Sequence, residues 1–250
     1  MARQKGIIKL EGKIGDLSFY KTQDGHLART KGGVDKNRIE SDPAFARTRE
    51  NGQEFGRAGK GGKLLRKALR TLLQNSADNR VTSRLTREMV QVVKADTTNG
   101  RGERNVVDGD LMKLKGFDFN KDGILSSILF EPFSTNVDRP NGVLEVQIPA
   151  FVPANGIEAP GGTTHIKLVA GGAEVNFTDE DFVQDDADSG MVPWDGNSAG
   201  PFTLTTNVTP NSTDPLFLVL GVEFYQEVNG NFYSLKDGRY NGLALVEVDV

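Results

Sequence analysis

The chain reads as an α+β protein: an N-terminal small β-meander and a helical hairpin, then a C-terminal immunoglobulin-like β-sandwich. Three observations predict this. The first 31 residues hold short apolar runs broken by Gly12 and by Asp24-Gly25. Apolar residues then recur at helical spacing between Pro43 and Ala95. Beyond residue 110, short runs rich in β-branched and aromatic residues alternate with Asn, Asp, Gly and Pro clusters.

The meander is expected over 1–31, with strands at Gly6–Glu11, Ile14–Lys21 and His26–Thr30 and a Gly-dependent turn at Asp24-Gly25. Three such strands carry too few large apolar side chains to be stable alone. Residues 32–40 form a polar, Gly-rich connection into a helical region spanning 32–96. Ser41-Asp42-Pro43 is a helix start, a capping residue followed by Pro in the first turn. The helix extends to about Gln74 and either continues through or breaks at Gly59-Lys60-Gly61-Gly62. Leu65, Leu69, Leu72 and Leu73 give its second half an apolar stripe. A second helix, Val81 to Ala95, places Leu85, Met89, Val92 and Val93 on one face. The polar stretch 96–109 is expected to be an exposed linker before a sandwich domain at 110–250. Strands are expected there at Phe117–Asn120, Ile124–Phe130, Gly142–Pro149, His165–Val169, Ala173–Phe177, Phe202–Thr206, Leu216–Glu227, Phe232–Leu235 and Leu243–Val248.

Composition narrows the function. Among 250 residues there are 2 His and no Cys, which removes disulfides, thiol nucleophiles and Cys-zinc sites and leaves little for His-based catalysis. No nucleophile–base pair emerges, so the chain is not expected to be an enzyme, and no cofactor is expected. No apolar run approaches a membrane span, and the first residues lack the apolar segment of a secretory signal. The expected location is cytoplasmic, or within an assembled particle, away from membranes.

Charge is divided along the chain. Residues 1–115 hold 25 Lys+Arg against 14 Asp+Glu, and residues 116–250 hold 5 against 20. Such asymmetry favours a polyanion partner or contact between unlike ends of two copies. The strongest constellation is a basic stripe, Arg47, Arg49, Arg57, Lys60, Lys63, Arg66, Lys67 and Arg70, suited to an acidic protein surface or to phosphates. Gly52, Gly56 and Gly59 share the helix and would allow close helix packing. Asp118, Asn120 and Asp122 imitate the opening of a calcium loop. Leu129 stands where the bidentate Glu belongs, so a turn at Lys121-Asp122-Gly123 is the preferred reading. The acidic run Asp179 to Asp188 is expected as a solvated loop, and Trp194 as a loop anchor or a cap on the sandwich.

Three segments also carry a resemblance. Gly-Ile-Ile-Lys-Leu-Glu-Gly-Lys-Ile-Gly-Asp-Leu-Ser-Phe-Tyr-Lys (6–21), Asp-Pro-Ala-Phe-Ala-Arg-Thr-Arg-Glu-Asn-Gly-Gln-Glu-Phe-Gly-Arg-Ala-Gly-Lys (42–60) and Leu-Gly-Val-Glu-Phe-Tyr-Gln-Glu-Val-Asn-Gly (220–230) resemble a family of uncharacterised conserved proteins from Bacteroidota genomes. The resemblance covers nearly the whole chain, and the second segment is its most specific part. It implies a bacterial or bacteriophage source and no activity, so no functional residue is carried over.

The expected function is a structural self-assembling protein, a filament, sheet or virion-like component, built as a homo-oligomer through the basic N-terminal region. Seven Gly and seven Lys+Arg within 32–63 leave that stretch little to bury, so ordering it calls for a neighbour. The alternatives are a nucleic-acid binder using the 43–70 helix and a ligand- or carbohydrate-binding sandwich with Trp194 in its site.

Overall fold

The computed structural model describes residues 2–30 and 33–250. Lys31 and Gly32, where the predicted meander meets the predicted connection, lie outside the described residues. The chain forms two compact units, Met1–Arg49 and Glu50–Val250. Helices and antiparallel sheets are both present, so the α+β class holds.

The first unit is a four-stranded antiparallel sheet. Strands β1 (Ala2–Arg3), β2 (Gly12–Ile14), β3 (Leu17–Thr22) and β4 (Gly25–Thr30) lie in the order β1-β4-β3-β2. Two-residue turns, Gly15-Asp16 and Gln23-Asp24, join β2 to β3 and β3 to β4; Gly15 has φ 55, and Gly25, at φ 105, opens β4 one residue beyond the turn expected at Asp24-Gly25. The predicted strand Gly6–Glu11 is a loop instead. The Gln4 side chain claims its backbone: Nε2 donates to Leu10 O at 3.1 Å, and Leu10 N donates back to Oε1 at 2.8 Å. The predicted connection contains a helix, α1 (Lys36–Ser41), started by Asp35, whose carboxylate accepts from Asn37 N. Asp42 then caps a short 3₁₀ turn at Pro43–Phe45.

Helix α2 (Ala46–Ala68) runs unbroken through all its glycines, so the break considered at Gly59–Gly62 does not occur. Helices α3 (Arg70–Ser76) and α4 (Val81–Lys94) follow. The short α5 (Leu125–Ile128), strands β5 (Ser134–Asp138) and β6 (Val143–Ile148), and the short α6 (Pro153–Gly156) lead into the main sheet. That sheet comprises β7 (His165–Asn176), β8 (Asp181–Asp188), β9 (Val192–Pro193), β11 (Leu216–Val228), β12 (Asn231–Ser234) and β13 (Gly242–Asp249). β10 (Phe202–Asn207) joins β6 and β5 in a separate three-stranded sheet.

The main sheet centres on the β7–β11 pair, in register from Leu216 opposite Glu174 to Tyr225 opposite His165. Both strands are apolar on both faces, as strands covered twice must be. On one face Val169, Ala173, Val175, Phe217 and Val219 meet Leu65, Leu69, Leu72, Leu85 and Met89 of the helices. On the other, Ile166, Leu168, Leu218, Leu220 and Val222 meet Leu144, Val146, Ile148 and Leu204 of the small sheet. The second unit is therefore layered as helices, large sheet and small sheet. The helical layer is additional to the two-layer sandwich that the strand spacing suggested.

Three local expectations need correction. Ile124–Phe130 is not a strand but the single turn α5 followed by one bridging residue, Leu129, and Asp118 Oδ1 accepts from Leu125 N at the start of that turn. Phe117–Asn120 supplies only a bridge, Asp118 to Ala244. The acidic run is not a loop: Asp181–Asp188 is β8, paired along β7, with Asp185 also accepting from Asn207 N at 2.9 Å.

β7 crosses the predicted gap at Gly171-Gly172, where both outer layers come closest. A methyl on Gly171 would lie 2.6 Å from Leu72 Cδ1 of α3, and one on Gly172 2.3 Å from Thr206 Oγ1 of β10. Gly172→Ala should therefore cost about 1–3 kcal/mol by overpacking. Gly56→Ala, where a methyl meets nothing within 4 Å, should stabilise α2 by up to about 1 kcal/mol. Urea midpoints of the two variants should move in opposite directions.

Candidate functional site

The basic stripe is divided by what each cation already does. Arg49 Nη1 donates to Ile39 O at 2.7 Å and Asp42 O at 2.9 Å, bracing the turns before α2. Arg57 Nη1 donates to Gly102 O and, at 3.0 Å, to Arg104 O, while Nη2 lies 3.6 Å from Glu103. Arg66 folds back onto Gly62 O at 3.2 Å, and burial lowers the pKa of its guanidinium. Lys60, Lys63, Lys67 and Arg70 remain exposed, with Lys60 3.7 Å from Glu180, and Arg47 is exposed at the start of α2. Of these five exposed cations, Lys60, Lys63, Lys67 and Arg70 form one solvated face opposite the face that α2 and α3 bury.

The glycine stripe divides too. Within the chain nothing comes within 4 Å of a Cβ built on Gly52, Gly56 or Gly59. The close helix packing expected there occurs one turn on. A methyl on Gly62 would lie 3.5 Å from Met89 and 3.6 Å from Leu85 of α4, and one on Gly61 3.0 Å from Val106. Within the chain the close approach falls at Gly61 and Gly62, because Leu64, Leu65 and Ala68 fix which face of α2 turns inward, and Gly52, Gly56 and Gly59 lie off that face.

The calcium-like residues are engaged as structural acceptors and donors. Asn120 is buried; its Nδ2 donates to Arg239 O at 2.9 Å and Asn241 O at 2.8 Å, and its Oδ1 accepts from Asp122 N. Asp118 is half-buried, and its desolvation raises its pKa against the opposing donor from Leu125 N and the charge of Arg84. Among the described residues no three His, Asp or Glu side chains gather as a metal would need. Trp194 Nε1 donates to Ile157 O at 3.1 Å, and its ring packs against the inter-sheet core. His165 is partly buried, with its ring 4.7 Å from that of Phe232.

The expected linker 96–109 is bound down. Asp96 is 2% exposed and accepts from the backbone N–H groups of Thr98, Asn99 and Asn105 and from Asn99 Nδ2. Glu54 of α2, also buried, accepts from Gly102 N at 2.9 Å. The loop therefore belongs to the helical layer.

Two surfaces went unnoticed in the sequence. In the first unit not one described residue is buried, and the Gln4-braced loop holds Ile7 at 102% and Ile8 at 81% exposure. Leu10, Ile14 and Leu17 are exposed beside them. In the second unit an apolar groove of about 580 Å³ is lined by Leu125, Leu129, Phe130, Phe133, Val246 and others, with Phe130 57% exposed. The signal was present: Ile7-Ile8 lies between lysines, and Phe130-Glu131-Pro132-Phe133 is too broken by Pro to join a strand.

No protein-family model matches the chain, and neither a curated protein nor a solved structure matches it. Among the described residues no helix is long and apolar enough to cross a membrane.

The Asp96 knot makes a pH prediction. Burial alone would raise the Asp96 pKa, but its four donors outweigh burial and hold it at about 2, below the ordinary 3.8. Its stabilising contribution is complete above the ordinary carboxylate value and is lost as pH falls through about 2. Asp96→Asn should lower the thermal midpoint at neutral pH, because an amide nitrogen cannot accept. It should also flatten the part of the acid-induced decline between 3.8 and about 2, as thermal unfolding across pH would record.

Proposed function

We propose that the protein is a structural, self-assembling component, a filament, sheet or virion-like element, built by contacts that the N-terminal region makes with other copies. One observation carries this: among residues 2–30 and 33–49 none is buried, while six large aliphatic side chains, Ile7, Ile8, Leu10, Ile14, Leu17 and Val34, are exposed. Fully burying one such side chain contributes about 1.5–3 kcal/mol. Ile7, Ile8 and Ile14, the three that are mostly exposed, together contribute at most roughly 5–9 kcal/mol, against an association cost of about 4–15 kcal/mol. A single contact of this kind is marginal, whereas repeated contacts in a polymer reinforce one another.

Charge supports the same reading. Residues 1–49 hold 11 Lys+Arg against 6 Asp+Glu, and residues 50–250 hold 19 against 28. A cationic front and an anionic remainder favour heterologous contacts, which generate rings or filaments. In this reading the chain is not an enzyme, works in the cytoplasm or in an assembled particle, and has a bacterial or bacteriophage source. The two facing sheets of the second unit would make the immunoglobulin-like part of the fold.

A second reading rests on Lys60, Lys63, Lys67 and Arg70, which present one exposed cationic face to phosphates. Trp194 offers a ligand site little support, since its ring and N–H are already occupied.

Sedimentation across protein concentration should detect large species at low salt that shrink as salt rises. A monomer at every salt and concentration overturns the proposal. Titration with single- and double-stranded DNA and RNA tests the second reading: a steep decline of log affinity with log salt, lost in a Lys63→Glu/Lys67→Glu variant, would favour it.

A further inference from the structure

We propose that the braced isoleucine loop of one copy seats in the apolar groove of the next. This rests on the self-assembly reading and names the contact that would build it.

The loop is constructed for display. Gln4 closes it with the two bonds to Leu10, and its Nε2 also reaches Leu27 O at 3.1 Å, anchoring the loop to β4. Lys9 Nζ donates to Gln4 O at 2.5 Å. A segment held by its own polar groups loses little further entropy on docking. Its outermost residues are nevertheless the two most exposed large apolar side chains among the described residues, Ile7 and Ile8. Lysines flank them at positions 5 and 9.

The groove has room for such a tip and carboxylates at its border. Its walls are α5, the Leu129–Phe133 segment and β13, and its volume of about 580 Å³ exceeds what two isoleucine side chains need. Asp118 lines it, while Glu131 and Glu247 adjoin the lining residues Phe130 and Val246. The one cation on the lining, Lys115, is already paired with Glu247 at 2.7 Å. A doubly cationic, doubly aliphatic tip therefore meets an apolar floor bordered by two carboxylates, Asp118 and Glu131, and by the neutral Lys115–Glu247 pair. Both rims, at Phe130 and Phe133, are exposed enough to change without opening the core.

Because tip and groove are different surfaces, each copy offers one of each, and the contact propagates. Two full-length variants test it, one tip-altered (Ile7→Asp/Ile8→Asp) and one groove-altered (Phe130→Asp/Phe133→Asp). Thermal unfolding verifies that each is folded. Milder versions, Ile7→Ser/Ile8→Ser and Phe130→Ser/Phe133→Ser, replace any that is not. Each variant alone should need on the order of tenfold or more higher concentration than the unaltered chain to assemble. An equimolar mixture should yield dimers and nothing longer, since only one intact tip–groove pair remains. If the unaltered chain assembles and the variants assemble equally well, the tip–groove contact is wrong while the self-assembly reading stands. If the unaltered chain stays monomeric, both fail.

Discussion

The fold of the second unit depends on two strands that must be covered twice. β7 and β11 offer apolar side chains to both sides, so neither helices nor the small sheet alone would complete the core. Gly171 and Gly172 let Leu72 and Thr206 approach the same stretch of β7 from opposite sides. The helical layer is thereby committed. Ala58, Leu65, Ala68 and Leu69 are at most 1% exposed, so the cations on α2 and α3 form the outer surface of a structural helix pair. That commitment separates the basic residues that fasten loops, Arg49 and Arg57, from those that face solvent.

Buried polar groups in this unit are spent on fastening. Glu223 is 1% exposed, accepting from Asn75 Nδ2 at 2.9 Å and Tyr225 Oη at 2.6 Å, with Lys167 Nζ at 3.8 Å. Burial first, and then the Glu223 contact, push the tyrosine hydroxyl far above its usual range. Asn241 accepts from Phe224 N and donates to Asn75 O, tying the end of α3 to the sheet. Glu174 accepts from Thr209 N and Ser212 Oγ. A buried carboxylate is tolerable when donors surround it, and each such group here is matched by neighbours on a different element. The result is a set of loops whose positions are fixed by hydrogen bonds, with Asn120 doing the same beside the groove.

Periodicity encodes the long elements of this fold, and side-chain capture decides the short ones. Val81–Lys94 and Leu216–Val228 match their predicted helix and strand because long apolar patterns dominate local preference. Residues 6–11 looked like a strand, yet a single glutamine four residues from the start turned them into a loop. Asp179 to Asp188 looked like a loop because aspartates outnumber apolar residues there; pairing with β7 made it a strand, with Phe182 packed on the core. The 96–109 stretch looked like a linker because its residues are polar, and Asp96 reveals those polar residues as an internal knot. The basic stripe was legible as a pattern, but which cations are free to meet a partner depended on carbonyls 45 and 47 residues away, at Gly102 and Arg104. Of the groove, only the Pro-broken Phe130–Phe133 segment is legible in the sequence, since the cavity itself exists only where α5 and β13 converge.

The two units pose opposite physical problems. The second has more apolar surface in its middle strands than any single layer could cover, whereas the first has a hydrogen-bonded sheet and no interior. A small sheet without a buried face gains little against the entropy of ordering its strands. Its turns and the Gln4 clasp lower that entropy, and its exposed aliphatics supply the missing stabilisation only when something covers them. In a tip-and-groove contact the two kinds of surface would divide the work. Lysines and carboxylates act at a distance and set encounter rate and orientation, weakening as salt screens them. Isoleucines act only on contact and set how long it lasts, strengthening with salts that are excluded from apolar surface. An assembly built this way would be weakened by screening at modest ionic strength and strengthened again by salts excluded from apolar surface, whereas a purely ionic interface would show only the first response and a purely apolar one only the second.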